Sequence, residues 1–330
     1  MSTLYVIETG ARLEKEYHRL AVFKDDELLQ RVPLAQLTEV VLIGSVGVTT
    51  PAMIALLEAG VPLSIVRSTG QLLGRLAPPT LRNIPLRHQQ YRRAADPAFC
   101  LAISKAIVGG KLRNERTLVR RICRRHSTAG GEFAASITSA LKQAAAAPNL
   151  DSLRGLEGSA ARAYFAVFRS ALPPGWESPR RSRRPPRDPF NALLSFGYTL
   201  LGQSVNTALE VAGLDPYDGF FHADKYGRPA LALDLVEEFR SVIVDSLVLT
   251  LVNKRILAPD DFEKRDEGVY LKPHALRRFL THYTARLQTG VIHPLVKKRL
   301  TYQKCLEVQA RQLRKAIEED GTPYIPFLTR

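Results

Sequence analysis

Residues 39–67, EVVLIGSVGVTTPAMIALLEAGVPLSIVR, hold the reading on which the fold turns. EVVLIG (39–44) and LSIVR (63–67) are short β-branched runs, and TPAMIALLEAG (50–60) between them carries the marks of one helix. Thr50 suits its cap, Pro51 its first turn, AMIALLEA its body and Gly60 its stop. Toward the N-terminus, LYVIET (4–9), RLAVF (19–23) and LLQRVPL (28–34) read as further strands. Turn signals at Thr9-Gly10, Asp25-Asp26 and Thr69-Gly70 punctuate the run. Residues 1–80 are therefore predicted to be a strand-rich domain with one helix.

Toward the C-terminus the apolar period lengthens to that of helices. Helices are predicted over 97–126, 131–146, 151–171, 189–212, 231–256, 272–289 and 294–319. Between the two patterns, APPTLRNIPLRHQQYRR (77–93) reads as a charged linker, assigned to 81–94. LPPGWESPRRSRRPPRDP (172–189) is too rich in Pro and Arg to be one regular element. The fold class is thus α+β, a small N-terminal β-rich domain (1–80) followed by a larger all-α domain (95–330).

The 330 residues carry 47 Lys and Arg against 32 Asp and Glu, a net charge of +15. An apolar content of 45% excludes a disordered chain, and no run of about 18 apolar residues offers a membrane span. MSTLYVIETG lacks the pattern of an export signal, so a cytoplasmic protein is expected. Cys100, Cys123 and Cys305 are far apart and form no CxxC, which argues against a disulfide framework or a cysteine zinc site. The charge is uneven. Residues 1–80 hold 7 basic and 8 acidic side chains, whereas 81–126 hold 12 basic side chains against only Asp96 and Glu115. Such a basic block points to a polyanion, with nucleic acid ahead of acidic protein or a membrane surface.

A few polar groups interrupt the apolar pattern of the helical region. Glu157 sits in LRGLEGSAARAYF (153–165) among small residues, on one helical face with Ala161 and Tyr164. In GFFHADKYGRPALALDLVEEFR (219–240), His222 opens a turn-rich loop and Asp234 breaks the run LALDLV, with Glu237 three residues on. A carboxylate in that setting must be paired or must ligate a metal. Oxygen ligands plus one imidazole suit Mg²⁺ or Mn²⁺ better than zinc. In isolation, Glu157 reads first as a helix N-terminal acid favoured by the dipole and His222 as a structural loop residue.

GLEGSAARAYF, then RRPPRDPFNALLSFGYTLL (183–201), then GFFH…LALDLVEEFR resemble, in order, the three signature blocks of the CRISPR-associated integrase/endonuclease of spacer acquisition. The two-part architecture is similar as well. The resemblance implies that Glu157, His222 and Glu237 are catalytic and bind the metal, Mg²⁺ or Mn²⁺. It places Asp234 beside them in support, with Asn191, Ser195 and Tyr198 along one face of a helix near the site. Arg240 is a candidate phosphate contact. Arg113, Arg116, Arg120, Arg183 and Arg184, with other basic residues of 81–126 such as Arg87, Arg93 and Lys111, are expected to bind DNA phosphates.

The implied reaction is insertion of short DNA fragments into a CRISPR array by attack of a 3′-hydroxyl on a phosphodiester. Double-stranded DNA, a homodimer formed through the β domain and a small CRISPR adaptation partner subunit are the implied partners. Two rival readings remain: a hydrolytic metal-dependent nuclease, and a non-catalytic nucleic-acid-binding protein. TPYIPFLTR at the C-terminus reads as a docking tail or a frayed end.

Overall fold

In the N-terminal region of the computed structural model, β1 (Ser2–Val6), β2 (Arg12–Glu16), β3 (Arg19–Lys24), β4 (Glu27–Pro33), β5 (Leu37–Ile43), β6 (Gly47–Val48), helix α1 (Thr50–Glu58), β7 (Leu63–Val66) and β8 (Leu72–Leu76) follow in order. The structure describes residues 2–78, 83–126, 130–178, 180–182, 185–222 and 225–329, without the side chains of 2, 125–126 and 130–135. Two four-stranded sheets result, in the orders β1-β5-β7-β8 and β4-β3-β2-β6. The strand–helix–strand unit is present: β5 and β7 pair in parallel, Val41 opposite Ser64, with α1 between them in sequence. Thr49 rather than Thr50 caps α1, and its side chain makes no capping bond.

Alternation along β5 explains its unbroken apolar run. Val40 and Leu42 join the core of the N-terminal region with Leu13, Leu20 and Leu56, while Val41 and Ile43 join the core of the helical part. A strand buried on both faces has no polar side to display. The opposite case, β2, escaped the sequence reading: of RLEKE only Leu13 is fully buried, so charges dominate the string.

The second region begins with α2 (Ile84–Ala94), a helix inside the stretch read as a linker. Asn83 caps it by accepting from the Leu86 N–H. Arg93 ties it to α10 (Tyr302–Glu318) through the Ile317 carbonyl, and Gln90 donates to the carbonyls of Asp215 and Asp218. Next come α3 (Pro97–His126), α4 (Gly130–Ala146), α5 (Leu150–Ser170) and α6 (Pro189–Val211), each within a residue of expectation.

The helix predicted over 231–256 is not continuous. It divides into α7 (Ala230–Val236), a π-helical segment (Arg240–Asp245) and α8 (Ser246–Asn253). A hairpin of β9 (Phe262–Arg265) and β10 (Gly268–Leu271) precedes α9 (Pro273–Leu287). The helix predicted from 294 starts only at Tyr302, because β11 (Gly290–Ile292) and β12 (Arg299–Thr301) pair first. Gly197 lets α6 approach the π segment: a Cβ there would lie 2.6 Å from Val244 Cγ1.

The C-terminal tail neither frays nor projects. Tyr324 and Phe327 are buried, and the Phe327 ring stacks on Phe239 with centroids 5.0 Å apart. Among the described residues, no helix is long and apolar enough to cross a membrane.

Candidate functional site

Carboxylates from two other elements converge on Lys111 of α3. This residue lies on the inward face of α3 with Ile107, Glu115, Leu118 and Ile122, a spacing of four, four, three and four. Its ammonium forms ion pairs with Glu157 of α5 and with Glu237, 2.6 Å from Glu237 Oε2. Glu237 caps the end of α7, and Arg240, three residues on, lies 2.6 Å from its Oε1. The guanidinium of Arg240 also lies over the Tyr198 ring, 4.2 Å from its centroid.

His222 completes the cluster. Its Nε2 is 3.9 Å from Glu237 Oε1, and its Nδ1 is 2.7 Å from Asp234 Oδ1. Asp234 is fully buried and accepts from the backbone N–H groups of Phe220, Phe221 and His222, so it holds both the loop and the ring. Arg154, one turn before Glu157, donates to the Phe221 carbonyl at 2.7 Å and pins the same loop to α5.

Electrostatics follow from this crowding. Burial alone would raise the Glu237 carboxyl, but Arg240, Lys111 and His222 hold it well below the usual carboxylate range. Burial opposes the charge on Lys111, yet Glu237, Glu115 and Glu157 outweigh it and keep the ammonium protonated. Glu115, one turn along α3, is pushed up to about 8 by burial, and its Oε2 has no hydrogen-bond partner among the described residues. Asp245 is also raised by burial, although it accepts from Tyr164 and Tyr198 hydroxyls.

The helix α6 carries the predicted polar stripe. Tyr198 faces the cluster through Arg240 and Asp245. Asn191 and Ser195 instead hold Arg181, at 2.8 and 3.2 Å from its Nη1. Asn191 also donates to Ser178, the Arg180 carbonyl and Asp188, fixing the Pro/Arg-rich segment onto the start of α6.

The basic residues divide. Arg113, Arg116, Arg120 and Arg124, spaced three, four and four on α3, form a row on the side away from Lys111. No ion pair with them occurs among the described residues. Arg87 lies near Asp215, while Arg93 pairs with Asp320 and stacks on Phe99, so both serve the packing of α2 rather than an open basic face. Lys111 is buried among carboxylates instead of contacting solvent. Arg183 and Arg184 lie outside the described residues.

Among the described residues, no three His, Cys, Asp or Glu side chains close to metal-binding distances. The donor set nevertheless fits a hard divalent ion in kind: two carboxylates and an imidazole oriented by a third carboxylate. The space between Glu157 and Glu237 already holds a cation, the Lys111 ammonium. Its contact with Glu237 Oε2 leaves that buried oxygen without a directed hydrogen bond.

Sequence reasoning named Glu157, His222, Asp234 and Glu237, which the structure brings together, but it missed the part played by Lys111 and Glu115. The available signal was two charged residues at core-facing helical positions in IVGGKLRNERTLVRRI (107–122).

Fold and site define an α+β protein with a carboxylate–imidazole–ammonium centre in its helical part. The family described as CRISPR associated protein Cas1 matches residues 4–285, and the chain belongs to that family. It is 40% identical over 333 residues to the CRISPR-associated endonuclease Cas1 3 of Thermus thermophilus, covering 100% of this chain and 98% of that one. A solved Cas1 protein from Thermotoga maritima matches in fold with a TM-score of 0.83 at 22% identity, over 99% of both chains. A chain of a Cas6-RT-Cas1–Cas2 complex gives a TM-score of 0.84 at 30% identity, over 99% of this chain and 36% of that one.

Proposed function

We propose that the protein is a divalent-metal-dependent DNA integrase and endonuclease that inserts short DNA fragments into a CRISPR array. The linkage of Glu157, Glu237 and His222 from three separate stretches of chain, Glu157 and Glu237 through the Lys111 ammonium and His222 through Glu237, carries this reading. Membership of the Cas1 family and the relative named an endonuclease support it. Glu157, Glu237 and His222 are the proposed ligands of Mg²⁺ or Mn²⁺. Such an ion, when bound, lowers the pKa of an attacking hydroxyl or water and offsets charge on the phosphoryl group.

The remaining chemistry belongs to the side chains. Asp234 fixes the His222 tautomer with Nδ1 protonated, which leaves the Nε2 lone pair free. Arg240 supplies positive charge where the pentacoordinate phosphate gains negative charge. The arginine row on α3 lies on the far side of that helix from the site, so it grips duplex phosphates away from the reacting bond. A homodimer through the strand-rich region and a small adaptation subunit are the proposed assembly, and the related chain in a Cas6-RT-Cas1–Cas2 complex supports the partner subunit.

The test is a strand-transfer assay with a labelled 3′-hydroxyl duplex and supercoiled plasmid, with Mg²⁺, Mn²⁺ or EDTA, with and without the partner subunit. Label joined to plasmid only with metal, and lost in Glu157→Ala, is the expected result. Cutting without joining assigns the hydrolytic nuclease. DNA binding with neither product leaves a binding protein and removes the catalytic assignment.

A further inference from the structure

Lys111 has no solvent-facing task. Its side chain is 6% exposed, and it reaches across from α3 to carboxylates contributed by α5 and by the end of α7. Two carboxylates held that close repel each other unless a cation lies between them. The Lys111 backbone is also held. The preceding residue, Gly110, packs so tightly against Pro326 that a Cβ would lie 2.6 Å from the Pro326 Cβ. Three residues on, Asn114 is clamped by the Glu238 and Phe327 carbonyls at 2.9 and 2.8 Å. The ammonium is thus delivered at a fixed reach from a rigid helix.

From this geometry we propose that Lys111 is a tethered counter-cation, which holds Glu157 and Glu237 together and competes with a divalent ion for them. The proposal rests on the metal-site reading above and adds to it a residue that sets the metal concentration at which the site loads. A lysine suits the task because its charge sits on a flexible four-carbon stem and withdraws by rotation alone. A destination exists for it. Glu115 lies one turn along the same helix, buried, with Oε2 lacking a hydrogen-bond partner among the described residues. The ammonium is strongly favoured where it lies, since the surrounding carboxylates outweigh the cost of its burial. A dication must displace that stabilisation before it binds.

Mn²⁺ titration followed by the electron paramagnetic resonance of the free ion tests this directly, without any turnover. Lys111→Met removes the charge and leaves an unbranched side chain one atom shorter; it is expected to bind Mn²⁺ about tenfold tighter or more, because the competing cation is gone. Lys111→Arg keeps a cation and stays near the wild-type affinity, and Glu157→Gln binds more weakly. Melting in EDTA supplies a second reading: Lys111→Met melts below wild type, and saturating Mn²⁺ closes the gap. If Lys111→Met does not fold, Lys111→Gln takes its place in both measurements. Wild-type binding with unchanged or weaker binding in the neutral variants overturns the competition and leaves the metal site standing. Absence of Mn²⁺ binding in every protein, wild type included, overturns the metal reading and the competition with it.

Discussion

A single oxygen of Asp234, Oδ1, meets His222 twice, at its backbone N–H (2.9 Å) and at its Nδ1 (2.7 Å). The other oxygen accepts from the N–H groups of Phe220 and Phe221 at 2.7 and 3.0 Å. The two oxygens already accept from three backbone N–H groups, and the ring nitrogen that faces Oδ1 is assigned as the donor, which puts the His222 proton on Nδ1. Asp234→Asn puts an amide N–H against at least one of those donors. Activity is expected to fall about 10- to 100-fold, as when the residue orienting a ligating histidine is lost. Imidazole ¹⁵N shifts of His222 provide the check, since a merely structural role for Asp234 leaves the tautomer unchanged.

Arg116 illustrates why the row on α3 is suited to a polyanion. Its burial and the charges of Arg120 and Arg113 lower its proton affinity, the signature of guanidinium groups crowded together without carboxylates to offset them. Replacing Arg113, Arg116 and Arg120 by Gln is expected to weaken DNA binding alike for all sequences. The slope of log affinity against log salt should drop by about one for each phosphate no longer neutralised. Mn²⁺ binding should not change, because the row faces away from Lys111. An unchanged salt slope would remove these arginines from the interface.

What the string of residues reveals depends on how each segment is buried. EVVLIG announced its strand because β5 is covered on both faces, whereas RLEKE hid one because a single leucine is buried there. The block 231–256 reads as one apolar helix, since a π-helical insertion shifts phase without altering composition. Glu157, His222 and Glu237 were named through a resemblance of motifs; spacing alone did not join residues contributed by α5, a loop and the end of α7. Lys111 lay in plain view at a core-facing position, but a lysine in a basic stretch reads as one more phosphate-binding group until its partners are known.

Glu238 lies next to Glu237 and faces the opposite way, fully buried, accepting from the Tyr324 hydroxyl (2.6 Å), the Phe327 N–H (2.7 Å) and Gln309 (3.1 Å). Burial outweighs these bonds and lifts its carboxyl to about 8, as it lifts that of Glu115. An acid raised on folding binds its proton more tightly in the native state. It therefore adds nothing to pH dependence below the ordinary carboxylate pKa and lowers stability as pH rises from there toward 8. Each such group contributes a slope of up to about 1.4 kcal/mol per pH unit. Glu238→Gln is close to isosteric and is expected to flatten the stability profile between pH 5 and pH 8, measured by urea unfolding at each pH.

The tail carrying Phe327 braces the site from behind. Its N–H and C=O bond to Glu238 and Asn114, the Thr329 N–H donates to Asn114 Oδ1 at 2.9 Å, and its ring lies against Phe239, His293 and Tyr302. Phe327→Ala should cost about 3–5 kcal/mol, the usual range for emptying a well-packed aromatic site. Gly110→Ala gives the sharper test. In a free helix interior that change is favourable by about 1 kcal/mol. Here the new Cβ meets the Pro326 Cβ at 2.6 Å, so tail or helix must shift and the sign reverses. Pro326→Ala keeps the offending atom and gives no relief, whereas Pro326→Gly removes it and is expected to recover most of the loss, so that the double mutant departs from additivity. Urea midpoints of the single and double variants decide the matter. A Gly110→Ala protein more stable than wild type would mean that the tail yields to α3 and does not fix Lys111 in place.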